Sequence, residues 1–143
     1  MTTPEQETPE QPELALWYQV SFERLGELKR SAVAVVADRR PPTCPSRQLP
    51  DHELTDVQKL VDEIADHSGD DEDFIRTEMP IQEIVFRLLL SRRNQPTPLY
   101  DLHYELTEKW STPVRPINIT EEGLSRILAA DTYYGFVTVD AAE

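Results

Sequence analysis

Residues 79–139 contain three apolar helical patterns in a row, and their order constrains the fold more than any other feature. The first pattern has apolar residues at spacings of three and four: Ile81, Ile84, Val85, Leu88 and Leu89. The second pattern begins at Thr97, with Pro98 in the first helical position, and runs to Trp110. Thr120 is the predicted N-cap of the third, and the aromatic, β-branched residues 133–139 predict a strand. Three short helices followed by a strand predict a winged helix.

Two short motifs carry a more specific resemblance. The second helix contains Tyr100-Asp101-Leu102 in its first turn, and the final strand reads Phe136-Val137-Thr138-Val139. With the Pro-containing turn between the first two helices, this pattern resembles the HARE-HTH group of winged helices, which includes the N-terminal domain of the bacterial RNA polymerase delta subunit. The resemblance covers residues 79–140 only. It implies a winged-helix fold and suggests a role in transcription.

The predicted fold class is mainly α with a small β-wing, in which a long N-terminal helix precedes a C-terminal winged-helix domain. The predicted segments are a disordered tail (1–12), a long amphipathic helix (13–40), a Pro-rich linker (41–54), an acidic helix and acidic run (55–78) and the winged-helix domain (79–140). Within the second segment, the helix is predicted over Glu13–Ala37. Its last residues, AVAVVA, also suit a short strand.

The N-terminal helix carries the predicted protein interface. Its apolar face includes aromatic residues of the kind that anchor interfaces, and the predicted contact residues are Leu14, Trp17, Tyr18, Phe22 and Leu25. This face either folds back onto the winged helix or pairs with a second copy or another protein. A homodimer through this helix is therefore one expectation.

Negative charge is concentrated in the middle of the chain. The formal net charge is −13, and residues 51–78 carry eleven acids and two bases. Such a segment repels phosphate backbones and attracts basic partners, or it only keeps the protein in solution. Four arginines are the predicted nucleic-acid contacts of the winged helix: Arg92, Arg93, Arg115 and Arg126. Because the third helix begins with Glu121 and Glu122, we expect weak or no DNA binding.

The function predicted from these features is that of a non-enzymatic accessory protein. Its winged helix would dock a protein partner, either a basic protein or the transcription machinery, and a DNA-binding winged-helix regulator is the alternative. No catalytic residue, metal site or cofactor is predicted, because the three histidines have no ligand-like spacing and glycine is scarce.

The remaining expectations concern Cys44 and location. The single cysteine lies in the Pro-rich segment, where we expect it to be exposed and incidental. The N-terminus has no apolar run typical of a signal peptide, and no stretch is apolar enough to span a membrane. These features predict a cytoplasmic protein without membrane contact.

Overall fold

A computed structural model describes residues 16–139. The N-terminal half contains strand β1 (Trp17–Val20), helices α1 (Phe22–Glu27) and α2 (Ala32–Ala37), two 3-10 turns (Pro45–Gln48 and Asp51–Glu53) and helix α3 (Val57–Ser68). The C-terminal half contains helix α4 (Ile81–Ser91), strand β2 (Thr97–Pro98), helix α5 (Leu99–Tyr104), helix α6 (Glu121–Ala129) and strand β3 (Phe136–Val139). Helix α5 continues as a π-helical turn (Glu105–Lys109). The mainly helical class with a small antiparallel sheet is confirmed. The predicted tail over residues 1–12 lies outside the described residues.

The N-terminal region is not the single helix predicted over Glu13–Ala37. Its described part begins with β1, in which Tyr18 and Val20 are buried while the alternate residues are only half-buried. Burial with a period of two is typical of a strand at the surface of a core. The apolar spacing predicted a helix because aromatic residues at adjacent positions satisfy both periods.

Two serines divide the rest of this region into separate helices. The Ser21 side chain accepts a hydrogen bond from the backbone N–H of Arg24, and the Ser31 side chain accepts one from that of Ala34. Each serine is therefore an N-cap, which satisfies a backbone donor at the start of a helix. Between the two helices Lys29 has a φ of 65°, which a continuing helix does not allow. The AVAVVA sequence is helical, as α2.

The sheet has the order β2-β1-β3, so the N-terminal strand lies in the centre. Trp17 is opposite Pro98 on one side and Val139 on the other, and both pairings are antiparallel. The buried side chain of Asn94 extends the pairing, since it accepts from the N–H of Val20 at 2.9 Å and donates to its carbonyl at 2.8 Å. The predicted C-terminal strand is thus present, and its partner is β1.

One hydrophobic core joins residues from both sides of the boundary predicted at residue 79. Its completely buried members include Leu25 and Val36 from α1 and α2, Val61 and Ile64 from α3, and Ile84, Leu89, Leu102 and Leu124 from the helices that follow. The structure therefore does not divide the chain at residue 79.

The helices of the C-terminal half lie close to their predicted positions. Thr120 is the N-cap of α6, as predicted, and its hydroxyl accepts from the N–H of Gly123. Helix α5 begins at Leu99, one residue after the predicted first position, and its N-cap is Pro98 instead of Thr97, because Thr97 and Pro98 form β2. In α3 the N-cap is Asp56, since its carboxylate accepts from two backbone N–H groups of the first turn.

Gly135 adopts a conformation that side chains rarely tolerate. Its φ is 83°, and a Cβ there would lie 2.9 Å from the Leu25 side chain and 3.0 Å from the Ser21 carbonyl. Gly26 lies in α1 with no such neighbour within 4 Å. We expect Gly135→Ala to lower the free energy of unfolding by about 1–3 kcal/mol, and Gly26→Ala to raise it by about 0.5–1 kcal/mol. Urea denaturation of both variants measures the change in the free energy of unfolding. Changes of the same sign in the two variants would contradict the assigned backbone geometry.

Candidate docking surface

Two of the predicted interface residues of the N-terminal region, Tyr18 and Leu25, pack inside the chain. Tyr18 and Leu25 are 2% and 0% exposed, and Trp17 and Phe22 are half-buried in β1 and α1. Leu14 lies outside the described residues. Tyr18 and Leu25 therefore belong to the chain's own core, as the fold-back alternative predicts.

Two of the four arginines predicted to contact nucleic acid bind to other parts of the chain. Arg93 has a guanidinium nitrogen 3.7 Å from the carboxylate of Asp62 and forms a second ion pair with Asp66, both on the exposed side of α3. Arg115 donates to the carbonyl of Glu78 at 3.2 Å. These contacts direct both guanidinium groups towards the acidic segment of the chain.

The other two predicted arginines also have carboxylate neighbours. Arg92 lies 3.6 Å from Asp101 and 3.4 Å from Glu105, both on α5 or its continuation. Arg126, on α6, is 4.0 Å from Glu122. Arg92 and Arg93 are adjacent at the end of α4, Arg115 and Arg126 lie on two other segments, and three of the four have a carboxylate within ion-pair distance. They do not form an unopposed basic surface of the kind that binds a phosphate backbone.

A buried ionic cluster around Glu83 connects three segments of the fold. The Glu83 carboxylate accepts from Arg39 at 2.8 and 3.0 Å, from Arg87 at 2.6 Å and from the Tyr134 hydroxyl at 2.9 Å. Arg39 follows α2, Arg87 lies on α4 with Glu83, and Tyr134 precedes β3. We refer to these four residues as the Glu83 cluster.

The Glu83 cluster holds its carboxylate in the ionised form. Burial alone would raise the pKa of Glu83, but the hydrogen bonds from Arg39 and Arg87 outweigh it and lower the pKa to about 2. Burial, followed by the bond to Glu83, raises the pKa of Tyr134. An ionised carboxylate that already accepts four hydrogen bonds is unsuited to accept a substrate proton near neutral pH.

An open groove of about 650 Å³ lies between α3 and the segment of residues 45–55. Two 3-10 turns, at residues 45–48 and 51–53, bring this segment alongside the helix. The Ser46 backbone N–H and hydroxyl both donate to the carboxylate of Glu63, at 2.9 and 2.5 Å. Residues 41–54 are therefore not a free linker, because this contact fixes them against α3. We refer to the space between them as the α3 groove.

The α3 groove combines apolar residues with carboxylates. Its apolar side chains include Leu49, Leu54 and Leu60, and Leu49 is 45% exposed. Its acids come from both sides: Glu53, Asp56, Asp62, Glu63 and Asp66. Lys59 is the one Lys or Arg among the residues that line it. An apolar surface with an acidic rim suits a basic partner better than an acidic one.

Cys44 lies beside this groove and is buried, contrary to the expectation of an exposed thiol. It is 2% exposed, and its Sγ is 4.0 Å from the carbonyl of Glu63. Burial raises the pKa of the thiol to about 11, with the Glu63 charge acting in the same direction. The thiol is therefore protonated at neutral pH, which suits a core residue and not a nucleophile.

Two exposed tyrosines on α5 form another candidate surface. Tyr100 and Tyr104 are 62% and 57% exposed and border a shallow depression with Arg92, Asp101 and Glu105. Exposed tyrosines are frequent in interfaces. Since this depression is smaller, at about 330 Å³, and lacks an aliphatic surface, the α3 groove is the stronger candidate.

The histidines take part in ordinary local contacts. His67 lies 2.9 Å from the Thr43 hydroxyl, His103 lies 2.6 Å from the Ile119 carbonyl, and His52 is exposed. Among residues 16–139 there is no group of three or more His, Cys, Asp or Glu side chains placed to hold a metal ion. Across the same residues, none of the helices has the length and apolarity needed to cross a membrane.

Comparison of the chain with protein-family models, with curated proteins and with solved structures found no match.

The sequence pattern does not mark the residues of the α3 groove as a site. Leu49 and Leu54 lie in a Pro-rich segment without helical or strand periodicity, so no amphipathic pattern points to them. A usable signal was present, because two leucines without a periodic partner lie directly before an acidic helix. Their exposure and common orientation depend on the 3-10 turns, which the sequence pattern does not specify.

Proposed function

We propose that this chain is a non-enzymatic accessory protein that docks a protein partner through an acidic surface. One observation carries the proposal. Three of the four arginines predicted to read DNA lie within ion-pair distance of the chain's own carboxylates, and the fourth donates to a backbone carbonyl. A surface organised in this way repels a phosphate backbone and favours a basic protein partner.

The order of the helices supports a winged-helix type of module. Helices α4, α5 and α6 follow one another, with β2 between the first two and β3 after the third. The central strand of the sheet is supplied by β1 from the other end of the described chain. We interpret the arrangement as a winged helix whose sheet is completed by an N-terminal strand.

The proposed setting is transcription in the cytoplasm. This part of the proposal rests on the resemblance of the Tyr100-Asp101-Leu102 and Phe136–Val139 motifs to the HARE-HTH group. Helix α6, the counterpart of a DNA-reading helix, carries Glu122 and Arg126 within ion-pair distance of each other on its exposed face. Such a helix is poorly equipped for a DNA groove, and it is consistent with contact to a protein of the transcription machinery.

Two binding experiments test this function. We expect no binding of the intact protein to a fluorescein-labelled 20-base-pair DNA duplex in fluorescence anisotropy at 50 mM salt, and co-elution with purified bacterial RNA polymerase core enzyme in gel filtration. Salt-dependent DNA binding that weakens on Arg126→Ala and Arg115→Ala would establish the regulator alternative and overturn the docking proposal. Failure to co-elute with the polymerase would remove the role in transcription while leaving the docking function open to other partners.

A further inference from the structure

We infer that the α3 groove binds a basic peptide segment of a partner protein, one that carries apolar side chains between its lysines and arginines. The inference rests on the proposed docking function and assigns the site and the chemical class of its ligand. Three properties of the groove lead to it: an exposed apolar surface, the distribution of carboxylates around it and the charge of the other possible occupants.

The first property is apolar surface that the chain itself leaves accessible. Leu49 is 45% exposed and Leu54 is half-buried, whereas Leu60 beneath them is 4% exposed. These side chains line the groove together with Pro45. Covering such a surface removes apolar area from water, which is the main favourable contribution to association. A ligand that fills the groove therefore needs apolar side chains.

The second property is the availability of carboxylates at the rim. Asp56 caps α3 through Oδ1, which accepts both of its hydrogen bonds, and Glu53 is exposed. Glu63 is occupied by Ser46, and Asp62 and Asp66 share the guanidinium group of Arg93. Glu53 and Asp56 are consequently the acids best placed to attract a cation. The negative charges of Asp62, Glu63 and Asp66 strengthen the electrostatic attraction.

The third property is charge, which disfavours two other possible occupants of the groove. The chain's own N-terminal segment, residues 1–15, carries four glutamates and no lysine or arginine. A second copy of the chain carries a net charge of −13. Both would bring negative charge to a groove that is already acidic, and like charges in contact disfavour association. A basic segment of a different protein has the complementary charge.

The experiment uses the full chain and three labelled dodecapeptides of defined composition. One alternates lysine with leucine, the second alternates lysine with serine, and the third alternates glutamate with leucine. Anisotropy at 50 mM salt should show binding of the lysine–leucine peptide, with weaker binding of the lysine–serine peptide and none of the glutamate–leucine peptide. Raising the salt concentration should weaken the binding, because dissolved ions screen the attraction between the exposed carboxylates of the rim and the lysines of the peptide.

Two groove variants and two matched controls locate the contact. Leu49→Ser should weaken binding of the lysine–leucine peptide about tenfold, because one leucine contact is lost. Glu53→Gln should weaken it about two- to fivefold, as expected for a charge at an exposed rim. The controls are Val114→Ser, which changes a residue that is 93% exposed and outside the groove, and Glu108→Gln, which removes an exposed acid on the α5 continuation. Both controls should bind the peptide as the wild type does.

The outcomes separate this inference from the proposed function. Equal binding of the lysine–leucine and lysine–serine peptides, or no effect of Leu49→Ser, would overturn the groove as the site even if the DNA experiment supports docking. A wild-type dimer in sedimentation that becomes a monomer on Leu49→Ser would assign the groove to a second copy and overturn the inference. DNA binding by the intact protein would overturn the proposed function itself. All four exposed positions can be checked for intact folding by circular dichroism.

Discussion

Glu83→Gln is expected to lower the free energy of unfolding by about 3–5 kcal/mol, because it removes the one carboxylate that compensates two nearly buried guanidinium groups. Arg39 and Arg87 have side chains that are 11% and 20% exposed, and Glu83 itself is 12% exposed by the same measure. The loss should appear in urea denaturation at pH 7. Glu108→Gln removes an exposed acid outside the cluster and should change stability little.

The same variant should also change the dependence of stability on pH. The pKa of Glu83 is about 2 in the folded chain and 4.5 as the reference value for an unfolded one. Because the folded pKa is the lower one, protonation favours the unfolded state. The stabilisation is therefore complete above about pH 4.5 and is lost as the pH falls towards 2. Denaturation curves at pH 7, 4.5, 3 and 2 should show this loss in the wild type and a smaller loss in Glu83→Gln. Equal pH dependence in both would mean that Glu83 does not hold its charge through the cluster.

The fragment of residues 79–143 is expected to show no cooperative unfolding transition on its own. Strands β2 and β3 are not neighbours in the sheet, since β1 lies between them and pairs with both. The fragment also lacks the buried side chains of α1–α3, including Leu25, Val36 and Ile64, against which its helices pack. Thermal scans followed by circular dichroism should show a gradual change for the fragment and a sharp one for the full chain.

A complementation experiment serves as the control for this prediction. Residues 1–78 supplied as a separate polypeptide, by co-expression, should restore a cooperative transition because they return β1 and the missing half of the core. A sharp transition in the fragment alone would instead support the independent winged-helix domain that the sequence predicts over residues 79–140. The two results cannot both be obtained, so the experiment decides where the folding unit begins.

The sequence predicted the helices of the C-terminal half well because their stability is visible locally. The apolar spacing of α4 and the Thr120 cap of α6 are properties of neighbouring residues. The N-terminal region was predicted wrongly because β1 is stabilised by strands that are distant in the chain. Its short sequence, WYQV, satisfies helical and strand patterns alike, and the pairings with Thr97–Pro98 and Phe136–Val139 make the strand favourable. Ser21 and Ser31 were local signals of a break that a continuous apolar pattern obscured.

The candidate site was less predictable than the fold. Arg93 was predicted to contact DNA from its residue type and position, but its interaction with Asp66 joins residues from separate helices. The acidic residues of the middle segment can be read from the sequence, but their position around an apolar groove depends on the Ser46–Glu63 contact. Charge can therefore be counted from the sequence, whereas the pairing of charges requires the three-dimensional structure.

The central position of β1 has a consequence for how the protein emerges from the ribosome. Val20 is synthesised early, but the strand that contains its partner Phe136 is complete only at Val139, 119 residues later. At translation rates of 5–20 residues per second, this interval lasts roughly 6–24 s. During that time β1 lacks its pairing with β3, so the backbone groups on that edge of the strand remain unpaired. A nascent chain of this kind depends on slow, late closure of its sheet, and an exposed apolar strand is the type of segment that chaperones bind in the meantime.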